Sequence, residues 1–258
     1  MKIALMDSGI GLLPAAAAVR RLRPDADLVL SSDPDGMPWG PRTPEDLTER
    51  SLAVARAAAA HAPDALVVAC NTASVHTLPA LRAELEPRIP VIGTVPAIKP
   101  AAAAGGPVAI WATPATTGSP YQRRLIGEFA AGVDVTEVPC PGLAEAVQHA
   151  DSAAVAAAGE AAAALTPAAV EAVVLGCTHY ELVADAIGRV LRARTGRDIR
   201  LLGSAPAGAA QALRRATATG APGSATLTVL LSGRPAPLPE TALTYPEGRA
   251  LRQAAPVA

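Results

Sequence analysis

Ala65-Leu66-Val67-Val68-Ala69-Cys70-Asn71-Thr72 is followed, at an offset of 107, by Ala172-Val173-Val174-Leu175-Gly176-Cys177-Thr178-His179. Each stretch is a short apolar run rich in valine, the composition of a strand covered on both faces. Each then reaches a cysteine, followed by residues whose side chains hydrogen-bond at turns and helix starts. Two further pairs keep nearly the same spacing. Ile3 to Asp7 aligns with Val108 to Ala112 at 105, and Gly93 to Ala97 with Gly203 to Ala207 at 110. Three matched segments in one order predict two similar halves rather than a repeat array.

Other apolar runs extend the pattern. Strands are expected at 27–30, 90–92, 133–138, 199–202 and 225–231, besides those at 3–6, 65–69, 108–111 and 172–175. Helices are expected at 14–22, 43–61, 77–85, 121–130, 142–150, 151–165 and 180–195. Such alternation predicts an α/β fold with mostly parallel strands. In that architecture ligands gather at the carboxyl ends of strands, which is where both cysteines fall. Beyond about residue 215 the chain turns rich in Pro and Gly, and its last ten residues read as a loose end.

Composition removes several classes of partner. The 22 basic and 23 acidic residues, a net charge of −1, are spread along the chain. No basic footprint for nucleic acid or anionic membrane results, so a small molecule is the expected partner. Asp, Arg or Pro interrupts every apolar stretch before the roughly 20 residues of a membrane span. The first residues carry no secretory signature, and a cytoplasmic protein is expected. Three cysteines, Cys70, Cys140 and Cys177, with no C-x-x-C, argue against a disulfide framework.

A thiol at a strand end is expected to be partly exposed, with its thiolate favoured by a helix start or a nearby cation. From an ordinary pKa of about 8.5 a modest fall suffices for base chemistry near neutrality. One such cysteine suits a nucleophile or base. Two in equivalent positions suit racemisation, where a base on one face of a carbon and an acid on the other exchange roles when the reaction reverses. That relay needs no pyridoxal phosphate and no metal. Zinc bound by Cys177, His179 and another cysteine has the wrong ligand spacing. Cys140, before Pro141 and without a polar companion, reads as a small buried hydrophobe. His179 can tune Cys177 or pass it a proton. Asp7, in Asp7-Ser8-Gly9-Ile10-Gly11, reads equally as a helix cap or as an acid orienting substrate or a catalytic group. The same stretch lacks the third glycine of a dinucleotide fingerprint.

These segments together resemble the glutamate racemase family, within the wider aspartate/glutamate racemase superfamily, over residues 3 to about 235. Cys70-Asn71-Thr72-Ala73-Ser74 and Gly176-Cys177-Thr178-His179-Tyr180 look like its two catalytic-cysteine motifs. Asp7 to Gly11, Pro38-Trp39-Gly40, Ala115-Thr116 and Cys140-Pro141 are weaker matches. The resemblance implies Cys70 and Cys177 as the acid/base pair, assisted by Asp7 and His179. It implies a substrate site lined by Asp7, Ser8, Trp39, Gly40, Asn71, Thr72, Thr116, Thr178 and His179. It also implies two pseudo-symmetric α/β domains, 1–97 plus 208–258 and 98–207, with the active site in the cleft between them. A homodimer, an acidic amino acid as substrate, no cofactor, and a role supplying D-glutamate to peptidoglycan complete what it implies.

Several positions depart from that family. Trp39 stands where tyrosine is usual, Gly36 where arginine is common, Leu12 where glycine is common. Gln148 falls near a position often held by glutamate, and Gly203 where aspartate often precedes serine. A racemase or isomerase for aspartate or another amino acid therefore stands beside the glutamate reading. So does a non-catalytic paralogue that binds an acidic ligand.

Overall fold

A computed structural model describes residues 1–103, 105–216 and 222–254. The chain divides into two compact units, Met1–Val95 with Ala205–Ala258, and Pro96–Ser204. The first begins with strand β1 (Lys2–Asp7), helix α1 (Leu13–Leu22), β2 (Asp27–Ser32), α2 (Pro44–Ala59) and β3 (Ala65–Val68). Short helices α3 (Asn71–His76) and α4 (Leu78–Leu85) and strand β4 (Val91–Gly93) follow. The second holds α5 (Ile98–Ala103), β5 (Val108–Ala112), α6 (Pro120–Phe129), β6 (Val135–Pro139), α7 (Leu143–Gln148) and α8 (Ser152–Leu165). It closes with β7 (Ala172–Leu175), α9 (Thr178–Glu181), α10 (Ala184–Thr195) and β8 (Arg200–Leu202). The chain then returns to the first unit as α11 (Ala205–Arg215), β9 (Leu227–Leu231), β10 (Arg234–Pro235), α12 (Glu240–Leu243) and α13 (Pro246–Ala254).

The sheets explain the sequence repeat. In the first unit the strand order is β10-β9-β2-β1-β3-β4, and in the second β6-β5-β7-β8. All neighbours run parallel except the short β10 against β9. The order β2-β1-β3-β4 is thus reproduced by β6-β5-β7-β8, and the repeated segments are β1 with β5 and β3 with β7. In β3, β5 and β7 every residue is buried, as expected of parallel strands covered by helices on both faces. The helical supports have ordinary local causes. Thr43 and Ser119 cap α2 and α6 with Pro at the first helical position, and Asp151 caps α8 through two backbone N–H groups.

The boundaries differ from expectation in a few places. The helix expected at 77–85 is α4, and an additional helix, α3, starts directly after Cys70; the stretch expected from 180 is α9 and α10. Helices α5, α11, α12 and α13 were not expected. Residues 249–254 of the supposed loose end form the last turns of α13, whose Leu251 is fully buried; residues 255–258 lie outside the described residues. Among the described residues no helix is long and apolar enough to cross a membrane.

One buried cation ties the returning segment to the first strands. Arg20 of α1, 8% exposed, donates to the carbonyls of Pro24 (2.9 Å), Ala26 (2.8 Å) and Thr226 (3.1 Å). Burial lowers its pKa, opposed by Asp27 and Asp25. Replacing it with an apolar chain strands these carbonyls. Arg20→Met is expected to lower unfolding free energy by about 2–4 kcal/mol, read from the urea midpoint at unchanged slope.

Candidate active site

In the first unit the site is built on the carboxyl ends of β1, β2 and β3. Asp7 ends β1 and is fully buried, with Ser8 beside it. It does not cap the 3-10 turn Ile10–Leu12, whose capping position is Gly9, so the helix-cap reading of Asp7 falls away. Cys70 stands at the cap position of α3 with extended backbone (φ −144°, ψ 122°). At 7% exposure it is more enclosed than a strand-end thiol was expected to be. The strand is anchored before it: Ala69 N–H donates to the Met6 carbonyl at 2.8 Å. The Val68 carbonyl accepts from the hydroxyls of Thr94 (2.7 Å) and Ser74 (3.2 Å), while Ser74 Oγ accepts from the Thr94 N–H (2.8 Å). Asn71 is buried beside the thiol and Thr72 half-buried.

Further along the rim, Trp39 is 2% exposed and its indole Nε1 donates to Asp33 Oδ2 at 3.0 Å. Arg50 of α2 donates to the same oxygen at 3.2 Å, and this bond is the main reason its pKa is raised. Gly40 is half-buried. Trp39, Cys70, Met6, Leu47 and Ala73 belong to one packed apolar cluster.

The second unit repeats the construction. Cys177 occupies the cap position of α9 with φ −134° and ψ 135°, within about 15° of Cys70. Before it, Gly176 donates to the Trp111 carbonyl at 2.7 Å, and a Cβ at 176 would lie 2.8 Å from that oxygen. Glycine is required there by the approach of β5 to the turn. Cys177 Sγ lies 3.9 Å from His179 Nδ1, and His179 Nε2 lies 3.1 Å from Gln148 Oε1. The amide oxygen accepts from a protonated Nε2, which in a neutral ring leaves Nδ1 as an acceptor facing the thiol. Thr178 and His179 are buried. Thr116, also buried, shares a hydrogen bond with Thr113 (Oγ1 to Oγ1, 3.2 Å) in the turn after β5.

Cys140 is a structural thiol. It is 1% exposed, its Sγ donates to the Val138 carbonyl at 3.5 Å, and its own carbonyl accepts from the buried Tyr180 hydroxyl at 3.3 Å. Burial pushes its pKa up to about 12. Among the described residues no three His, Cys, Asp or Glu side chains gather as a metal site.

The residues singled out in the sequence thus fall into two groups. Asp7, Ser8, Trp39, Gly40, Asn71 and Thr72 surround the strand ends of the first unit, and Thr116, Thr178 and His179 those of the second. Unforeseen were the supports: Ser74 and Thr94 under Cys70, Gln148 behind His179, and Asp33 with Arg50 behind Trp39. Thr94, Gln148 and Arg50 have no local sequence signal, because their partners are 26, 31 and 17 residues away along the chain. Gly203 is explained likewise. A Cβ there would sit 2.3 Å from a Glu181 carboxylate oxygen, and Glu181 accepts from both the N–H (2.8 Å) and the hydroxyl (2.9 Å) of Ser204.

Two like α/β units, each ending a buried parallel strand in a thiol at a helix start, define a tandem thiol-bearing α/β protein. The comparisons name its family. Residues 13–212 match the model of the Asp/Glu/Hydantoin racemase family. A glutamate racemase of Roseiflexus sp. is 40% identical over 216 residues, 80% of this chain and 75% of that protein. One from Pseudomonas putida is 35% identical over 231 residues, 81% of this chain and 86% of the relative. A crystal structure of Escherichia coli glutamate racemase, in complex with L-glutamate and the activator UDP-MurNAc-ala, superposes with a TM-score of 0.79. It is 29% identical, with 98% of this chain and 95% of that one covered. The chain belongs to the Asp/Glu/Hydantoin racemase family, and is therefore an isomerase.

The Cys140 environment generates one check. At pH 8 its thiolate fraction is on the order of 10⁻⁴ for so high a pKa. Iodoacetamide should leave Cys140 unlabelled in the native protein and modify it fully in guanidinium chloride, read by peptide mass spectrometry.

Proposed function

We propose that this chain interconverts L- and D-glutamate by direct proton transfer through Cys70 and Cys177, without a cofactor. One thiolate takes the α-proton from one face of the substrate, and the opposing thiol delivers its own proton to the other face. The configuration inverts, the two sulfurs exchange protonation states, and the reverse reaction uses the same pair with roles interchanged. The observation that carries this reading is the matched placement of the cysteines. Both follow a fully buried parallel strand, with nearly the same backbone conformation and at the same position in the four-strand order that the two sheets share.

The remaining roles follow from chemistry. Asp7, a buried carboxylate beside Ser8, suits the substrate ammonium or the first thiol, and His179, 3.9 Å from Cys177 Sγ, suits proton exchange with the second. Ser8, Trp39, Gly40, Asn71, Thr72, Thr116 and Thr178 line the substrate site; the hydroxyls and the Asn71 amide supply donors for its carboxylates, while Trp39 gives an apolar wall, its indole N–H being held by Asp33. The glutamate assignment is supported by the relatives' substrate and by the L-glutamate in the Escherichia coli structure. In this reading the protein is a cytoplasmic homodimer whose product, D-glutamate, goes to peptidoglycan.

Incubation with L-glutamate in heavy water, with no added cofactor, tests the whole reading. Exchange of the α-hydrogen accompanied by loss of optical rotation is expected. Exchange and inversion with aspartate alone would move the substrate, and neither with any acidic amino acid would make the protein a binder. Cys70→Ala and Cys177→Ala should each lose roughly a thousandfold or more in turnover with circular dichroism unchanged. Near-normal racemisation by either single variant would end the two-thiol assignment.

A further inference from the structure

We propose that Asp33 and Arg50 are a positioning pair that sets substrate affinity by holding Trp39 and Gly40 in the wall of the substrate site. The inference rests on the reading that Trp39 and Gly40 line that site.

Asp33 follows the last residue of β2 and is 5% exposed, an unusual place for a carboxylate unless its charge is answered. Three side chains converge on it: the Trp39 indole at 3.0 Å, the Arg50 guanidinium at 3.2 Å and the Ser232 hydroxyl at 3.2 Å. Its backbone N–H donates to the Ser8 carbonyl at 3.1 Å, so it is tied directly to the residue after Asp7. Arg50 supplies the only charge among these three donors, and it comes from a different element, α2. Without that charge the carboxylate would be buried against two neutral groups, and Trp39 would lose a fixed partner.

Gly36 shows that the arrangement is specific. A Cβ at 36 would fall 1.8 Å from Asp33 Oδ2 and 2.3 Å from Arg50 Nη1, so any side chain there displaces the pair. The loop around it is closed by Arg42, which donates to the Gly36 carbonyl at 2.6 Å and pairs with Asp46, itself bonded to Arg50 at 3.2 Å. The guanidinium thus occupies the space that glycine leaves open. The load falls on Trp39, which shares its apolar cluster with Cys70. A loosened Trp39 alters the wall of the site, while the sulfur and its strand remain in place.

The test separates affinity from chemistry. Arg50→Ala should raise the KM for glutamate by roughly tenfold, the effect of losing a charged hydrogen-bond partner, with kcat changed less than about twofold. Arg50→Lys, which restores the charge, should recover most of the loss, and Gly36→Ala should reproduce it. In a Trp111→Phe background Trp39 is the sole tryptophan, and its emission should shift on adding glutamate, with the shift reduced by Arg50→Ala. Unchanged KM and unchanged emission response in both Arg50→Ala and Gly36→Ala overturn the proposal, as does a lowered Tm with KM intact. If Arg50→Ala does not fold, Gly36→Ala and Arg50→Lys decide by the same criteria. If instead Trp39→Phe leaves KM unaltered and the Trp39 emission ignores glutamate, the placement of Trp39 in the site is what fails, and the pair's role falls with it.

Discussion

Parallel pairing of β1 with β3, and of β5 with β7, is the constraint on which the chemistry depends. A parallel ladder brings neighbouring strands to their carboxyl ends on the same side, so Asp7 and Cys70 leave the first sheet together. Parallel pairing likewise brings Ala112 and Cys177 out of the second. The strands behind these ends are apolar and closely packed, so that Asp7, Asn71 and Thr178 are buried polar groups at the points where the strands stop. Each thiol then inherits its direction from an extended residue at a helix start, a local geometry that the hydroxyls of Ser74 and Thr94 brace in one unit. In the other unit the close contact at Gly176 serves that purpose.

What was legible in the sequence was what is local. Four apolar runs ending at Asp7, Cys70, Ala112 and Cys177 carry both the sheet topology and the internal repeat, because buried parallel strands require continuous apolar residues. The helix Ala205–Arg215 was hidden because it opens Ala-Pro-Ala-Gly, residues that read as a turn, and its apolar stripe registers only once β3 and β4 lie beneath it. Helix α13 was hidden for a similar reason: Leu251 is its fully buried anchor in an otherwise charged segment, and its partner α1 lies more than two hundred residues away. The enclosed state of Cys70 was not legible either, since burial is set by Trp39 and Leu47, whose approach depends on tertiary packing.

The departures from the family pattern are where the structure adds most. Gly36 and Gly203 look like losses when the chain is read linearly. In three dimensions each glycine makes room for a charged side chain from elsewhere, Arg50 in one case and Glu181 in the other. Glu181 lies on the same short helix as His179 and binds Ser204 through both the main chain and the hydroxyl, so the turn after Cys177 is tied to the last residue of its unit. Hydrogen-bond satisfaction constrains the group more tightly than it constrains the position that supplies it.

The second unit is continuous in the chain, whereas the first is interrupted by it. Strand β2 meets β1 early but receives β9 on its other edge only after a very long detour, with Asp27 and Thr226, 199 residues apart, marking where the two segments meet. During synthesis at the ribosome the inserted unit is therefore complete while the surrounding one still has an exposed strand edge, of the kind that invites pairing with foreign chains. Arg20, donating to carbonyls on both sides of that delayed junction, gains its bond to the Thr226 carbonyl only when the closing segment of the polypeptide arrives.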